Sequence, residues 1–158
     1  MPVLYTNGDC DAHFSVNASS LTYKITKNAY LSVRHNLVHG QPEGEGVKQV
    51  YSFAKAVFEG NLSYIKIKKA YIKNNTFIIE YSKNDEIEIK NVQTYYLKSE
   101  EIPLGGGENV LWHKKEEYTL EKDIIRINLE DNATYCYCSV TDNDNNIISS
   151  ELIKINNY

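Results

Sequence analysis

The sequence is short of the residues that staple or punctuate small folds. Its 158 residues include three cysteines and three prolines. An odd cysteine count leaves one thiol over. Cys136 and Cys138 stand two apart, share a face on a strand, and cannot bond each other without strain. A disulfide framework is therefore not expected, and the cysteines read as small buried or half-buried thiols. No apolar run approaches the ~20 residues of a membrane span. Met1 to Asp11 has neither a basic start nor an apolar run of leader length, so the chain reads as soluble and cytosolically made. There is no excess of positive charge: 17 Lys and Arg against 21 Asp and Glu give a net charge of -4 and a pI near 5.6. That argues against a nucleic-acid coat, which needs clustered Lys and Arg. Neither nucleic acid nor membrane is an expected partner.

Catalytic motifs are also missing. The sequence has no G-x-S-x-G, no H-E-x-x-H and no phosphate loop. Gly105-Gly106-Gly107 lacks the strand, helix and basic residue of a phosphate cradle. His113 sits among Lys114, Lys115, Glu116 and Glu117, a solvated charge run. The chain reads as a non-enzyme without a cofactor.

What is present is ordinary globular composition, with 42% hydrophobic and 24% charged residues. A chain of this length buries roughly 70% of its unfolded surface. Asn, Ile, Lys and Tyr are abundant, with 13 Tyr against 4 Phe, the skew of AT-rich codons.

Two regions differ in pattern. In residues 1–60, Leu21 to Thr26 alternates as a half-buried strand does, and Ala29 to Val38 forms a second strand run. Gly40 to Gly46 breaks regular structure. Val47, Val50, Tyr51, Ala54 and Phe58 form one helical stripe, predicting a buried face on a helix over 47–59, closed by Gly60, with a strand through Tyr51, Phe53 and Val57 as the alternative. From residue 61 the period becomes two. Runs at 62–68, 76–81, 86–90, 92–98, 109–112, 117–120, 123–129, 133–141 and 147–155 are separated by polar turns such as Asn74-Asn75 and Ser82 to Asp85. Short strands at this spacing predict a mainly β protein: an antiparallel sandwich over 61–158, preceded by a mixed segment with one short helix.

Asp131-Asn132-Ala133-Thr134-Tyr135-Cys136-Tyr137-Cys138 resembles the E–F corner of immunoglobulin-like domains, which often carries Asp-x-Ala-x-Tyr-x-Cys. Ser139 to Ser150 resembles the F–G hairpin of bacterial and phage members of that family. The resemblance implies an Ig-like sandwich, with Tyr135 as the corner tyrosine bonding back to main chain. The family's cysteine position holds Tyr137 instead, so it also implies a disulfide-free sandwich in which Tyr137 fills that space. Tyr135, Tyr137 and the single Trp112 are the expected structural residues.

Disulfide-free Ig-like folds without a leader look like auxiliary proteins that decorate phage capsids or tails. The functional expectation is a structural virion protein of a tailed bacteriophage, assembled in the host cytoplasm. Residues 1–60 would dock on the major coat protein, other virion subunits or further copies of the chain. The alternative is a cell-surface or secreted Ig-like module that binds glycan or protein through loops such as 103–111 and 142–146.

Three residue groups remain. Asp142, Asp144 and Asn146 open like a calcium loop, but Ile147 and Ile153 stand where Gly and Glu are needed, so a polar turn is expected and the three are weak metal candidates. Cys10, His13, His35 and His39 have zinc-compatible spacings, but histidines four apart on a strand lie too far apart for one ion. Lys66, Lys68, Lys69 and Lys73 read as the solvent face of a strand, and the tyrosines of the second half as sheet packing. Four Asn-x-Ser/Thr matches in an Asn-rich chain are taken as chance.

Overall fold

The computed structural model describes residues 1–40, 47–98 and 110–155. The Gln41 to Gly46 break, the Gly105 to Gly107 loop and most of loop 103–111 lie outside them. Among the described residues the protein is mainly β, with two helices.

The chain opens with β1 (Val3–Cys10), α1 (Val16–Ile25) and β2 (Ala29–Val38). β1 and β2 pair in parallel, joined by α1. Leu21 to Ile25 is therefore helix, not strand, and Thr26 is its C-cap. Two local devices outweigh its alternation. Asp11 Oδ1 accepts the backbone N–H groups of His13 and Phe14, both at 2.8 Å, and Ser15 caps the helix by accepting from Ala18 N. Val16 and Ser20, one turn apart, face inward, while Leu21 and Ile25 stay exposed. Ser20 Oγ then accepts the N–H of Leu152, tying α1 to the far end of the chain.

α2 (Lys48–Glu59) forms where the stripe predicts a helix and ends at Gly60, whose φ of 72° is left-handed. Its orientation differs from the expectation. Val47 is buried, but Val50, Tyr51 and Phe58 are exposed, and the inward residues are Gln49 and Phe53. Gln49 wins because both its amide oxygen and its amide nitrogen find partners. It donates to Ile147 O and accepts from Ile147 N and Arg34 Nη2. Phe53 meets Tyr30 and Tyr64 edge to face.

The second half is a two-sheet antiparallel sandwich. β3 (Lys66–Lys73), β4 (Thr76–Ser82), β8 (Ile124–Asn128) and β7 (Thr119–Glu121) form one sheet in the order β3-β4-β8-β7. The other runs β10-β9-β5-β6, from β10 (Ile147–Ser149), β9 (Tyr135–Asp142), β5 (Ile89–Leu97) and β6 (His113–Lys115), and β11 (Ile153–Lys154) also pairs with β9. The four strands β3-β4-β8-β7 thus face the sheet built on β5 and β9. The predicted 62–68 run starts four residues late, at Lys66. The 86–90 and 92–98 runs are one strand from Ile89, and 110–112 carries no strand. Asn74 and Asn75 both have positive φ, as a two-residue hairpin requires.

Two cores result. Between the sheets lie Phe77, Ile79, Tyr81, Val92, Ile125, Ile127, Cys136, Cys138 and Val140. On the other face of the β5-β9 sheet, Val16, Leu31 and Val33 of the first segment join Tyr95, Leu97, Trp112, Tyr135, Tyr137 and Leu152. β9 is thus covered on both faces and is buried along its length apart from the half-buried Thr141. Buried hydroxyls join the layers: Ser149 Oγ accepts the N–H of Val33 at 2.9 Å, and Ser139 Oγ donates to Val33 O.

This placement corrects one implication of the Ig-like resemblance. Cys136 and Cys138 point between the sheets, and Tyr137 faces the opposite way, toward the N-terminal segment. Period-two alternation leaves no other choice once the cysteines face inward. Burial pushes the Cys138 thiol up to about 12 and Cys136 higher still, as expected of inert core thiols.

Candidate functional site

The most elaborate polar arrangement sits where β1 ends against a bulge in β2. Gly8 pairs with Arg34 and Cys10 with Val38. β2 therefore takes four steps where β1 takes two. Asn36, at φ 60°, turns the extra chain outward. Such bulges re-aim side chains, and here His35 is swung onto Asp9.

Asp9 is 3% exposed. Its Oδ1 accepts the N–H of Asn36 at 2.7 Å. Its Oδ2 accepts the Tyr137 hydroxyl at 2.9 Å and His35 Nδ1 at 2.7 Å. Its carbonyl accepts Trp112 Nε1 at 3.0 Å. A buried charge is tolerable only when paired and hydrogen-bonded, and three donors meet this one. Because a carboxylate only accepts, Nδ1 of His35 carries the hydrogen. Burial first, then the Asp9 charge, holds the Tyr137 hydroxyl well above its usual titration range, so it remains a donor. Tyr95 lies between His35 and Tyr137, with ring centroids 4.5 and 5.0 Å away, and Trp112 meets Tyr137 edge-on at 5.0 Å. Trp112 and Tyr137 thus anchor the N-terminal segment to the sandwich, and Tyr135 packs in the same cluster.

Asp11, two residues further on, repeats the device. Besides the His13 and Phe14 N–H groups it accepts His39 Nδ1 at 3.1 Å. Burial would raise its pKa, but the Phe14 and His13 N–H groups and His39 outweigh burial and lower it. A carboxylate lowered on folding stabilises the fold above its unfolded value, and that stability is lost as pH falls through the folded value. Wild-type stability is therefore expected to fall as pH drops below the ordinary carboxylate range, and Asp11→Asn to flatten part of that slope. Urea titrations of both proteins from pH 6 downward, compared point by point, measure it.

The zinc candidates fall into two groups, His35 with Cys10 beside Asp9, and His13 with His39 beside Asp11, where the two rings lie 4.4 Å apart. His35 belongs to Asp9 and His39 to Asp11, and the Cys10 thiol is pushed up to about 11 by burial and then by Asp9. Among the described residues no three His, Cys, Asp or Glu form a metal-holding group. Asp142 is a turn-forming residue. Its Oδ1 accepts the N–H groups of Asp144 and Asn146, and its Oδ2 accepts the Asn146 amide. Asp9 and Asp11 were missed by sequence reading. The available signal was two aspartates two apart, matched by two histidines four apart.

The structure carries two further surface features. One is a groove of ≈ 910 Å³ between the β2 bulge, one face of α2 and the Asp144 to Asn146 turn. The other is apolar. Of eleven exposed large apolar side chains among the described residues, eight fall in residues 1–60. Val50, Tyr51 and Phe58 share one side of α2, and Leu21 and Ile25 project from α1.

No protein family and no curated protein matches the sequence. Among solved structures, a superoxide reductase from Giardia intestinalis aligns over 55% of this chain and 94% of its own, with 9% identity and a TM-score of 0.37. A pectate lyase from Pectobacterium carotovorum aligns over 56% of this chain and 26% of its own, with 11% identity and a TM-score of 0.33. Likeness at this level bears on neither the chemistry nor the partners of this chain.

Proposed function

We propose that this chain is an auxiliary structural protein, a decoration protein of a tailed-phage virion, docking on the coat or another virion subunit through residues 1–60. The observation that carries the docking reading is the concentration of exposed apolar side chains on that segment. Soluble surfaces rarely gather large apolar side chains unless a partner covers them. The stripe of α2 is fully formed yet turned outward, because Gln49 and Phe53 hold the opposite face. Tyr51 and Phe58 are 63% and 89% exposed, the kind of aromatic anchors that dominate interfaces. The virion itself is drawn from the Ig-like resemblance in β9 and its hairpin.

The double variant Tyr51→Ser/Phe58→Ser tests this reading. Both side chains are exposed, so folding stability should change by less than about 1 kcal/mol. Retention on particles from the source should fall at least tenfold, measured by quantitative mass spectrometry across a density gradient. Undiminished co-migration of the variant would overturn docking through α2. Absence of the wild-type protein from every particle fraction would overturn the virion assignment.

A further inference from the structure

We propose that the groove between β2, α2 and the β9–β10 turn binds a small hydroxylated anion, a sugar bearing a carboxylate or a phosphate. This site is separate from the apolar docking face, and its failure would leave the docking reading standing.

The groove has the size of a small-molecule site. Its charge is the first argument. Arg34 and Lys48 line it, and Asp144 is the only carboxylate among its described lining residues. Arg34 is half-buried. Its Nη2 donates to Gln49 Oε1 at 2.7 Å, but its buried Nε has no hydrogen-bond partner. No described carboxylate lies within ion-pair distance of it. A guanidinium withdrawn from water without a counter-charge is unfavourable, and its planar fork matches a carboxylate or phosphate.

Rigidity is the second argument. Gln49 is bonded to both backbone groups of Ile147. Ser52 Oγ and the Tyr64 hydroxyl lie 3.0 Å apart, and that hydroxyl reaches Asn146 Oδ1 at 3.4 Å. The walls are therefore joined before a ligand arrives, which lowers the ordering cost of binding.

The rim adds polar groups that can meet hydroxyls. Asn36, Asn61 and Asn145 place amide donors and acceptors around the opening. His35, with Nδ1 committed to Asp9, leaves Nε2 as its remaining ring nitrogen. Groups that both donate and accept suit hydroxyls. A polyanion is disfavoured by the net charge of -4.

The test is an amide-resolved NMR titration of the full chain with glucuronate, glucose 6-phosphate, glucose and inorganic phosphate, each to about 10 mM. The expected result is saturable shifts at residues 34–37, 48 and 144–146 with one or both anionic sugars. The tighter of the two identifies carboxylate or phosphate. Glucose should bind at least about tenfold more weakly. Arg34→Gln should weaken binding about tenfold or more. Because Arg34→Gln could disturb folding, Lys48→Gln and Asp144→Asn are read as well. Lys48→Gln should weaken binding about threefold and Asp144→Asn should strengthen it by a similar factor. No saturable shift, equal binding of glucose, or indifference to both surface variants would overturn the proposal. Inorganic phosphate binding as tightly as glucose 6-phosphate would overturn its hydroxylated part.

Discussion

Replacing Asp9 with alanine is expected to lower the unfolding free energy by about 3–5 kcal/mol, read from urea denaturation. The carboxylate is buried and accepts three donors: the Tyr137 hydroxyl, His35 Nδ1 and the N–H of Asn36. Each buried donor left unmet costs about 1–3 kcal/mol. His35, half-exposed, can turn to water, whereas the Tyr137 hydroxyl is enclosed by Tyr95, Trp112 and the N-terminal segment. The loss should therefore be shared unequally, and Tyr137→Phe separates the shares. A double-mutant cycle between Asp9→Ala and Tyr137→Phe should show a coupling of roughly 1–3 kcal/mol. A loss below 1 kcal/mol for Asp9→Ala would mean that the apolar contacts of the second core hold the layers together without the network.

Gly8→Ala is the second large effect, and it works by steric exclusion. A Cβ at Gly8 would stand 1.9 Å from the carbonyl oxygen of Leu37 and 2.6 Å from its carbon. Both are backbone atoms, so no rotamer change relieves the clash. β1 must part from β2 beside the bulge that presents His35 to Asp9. The expected result is a loss of about 3 kcal/mol or more, or failure to accumulate folded protein. Gly60→Ala is the internal comparison. It has nothing within 4 Å but a φ of 72°, so the cost should be only about 1 kcal/mol, from backbone conformation alone. Comparable losses at the two glycines would contradict the close approach of β1 and β2.

Both variants probe features that local sequence patterns do not display. The alternation at Leu21 to Thr26 is a genuine strand pattern, yet the segment is helical because Asp11 and Ser15 satisfy the N–H groups ahead of it. The stripe on α2 correctly located a helix and misplaced its buried side. Hydrophobic periodicity ranks Val50, Tyr51 and Phe58 above Gln49, and cannot count the three hydrogen bonds that Gln49 makes to Arg34 and Ile147. The corner motif at Tyr135 falls at the start of β9, but alternation along that strand serves two cores, so the motif alone did not say which residues face which.

The sequence by itself determined the mainly β architecture, the turns at Asn74-Asn75 and Asp142 to Asn146, the existence of α2 and the lack of an expected disulfide framework. These follow from period, turn chemistry and composition, which act over a few residues. Tertiary structure alone decided which sides of α2 and β9 are buried and where the charges of Asp9 and Asp11 are met. Asp9 meets residues 26, 103 and 128 positions away in the chain. At such separations a donor and an acceptor leave no joint trace in local pattern, and packing of the layers is what brings them within reach.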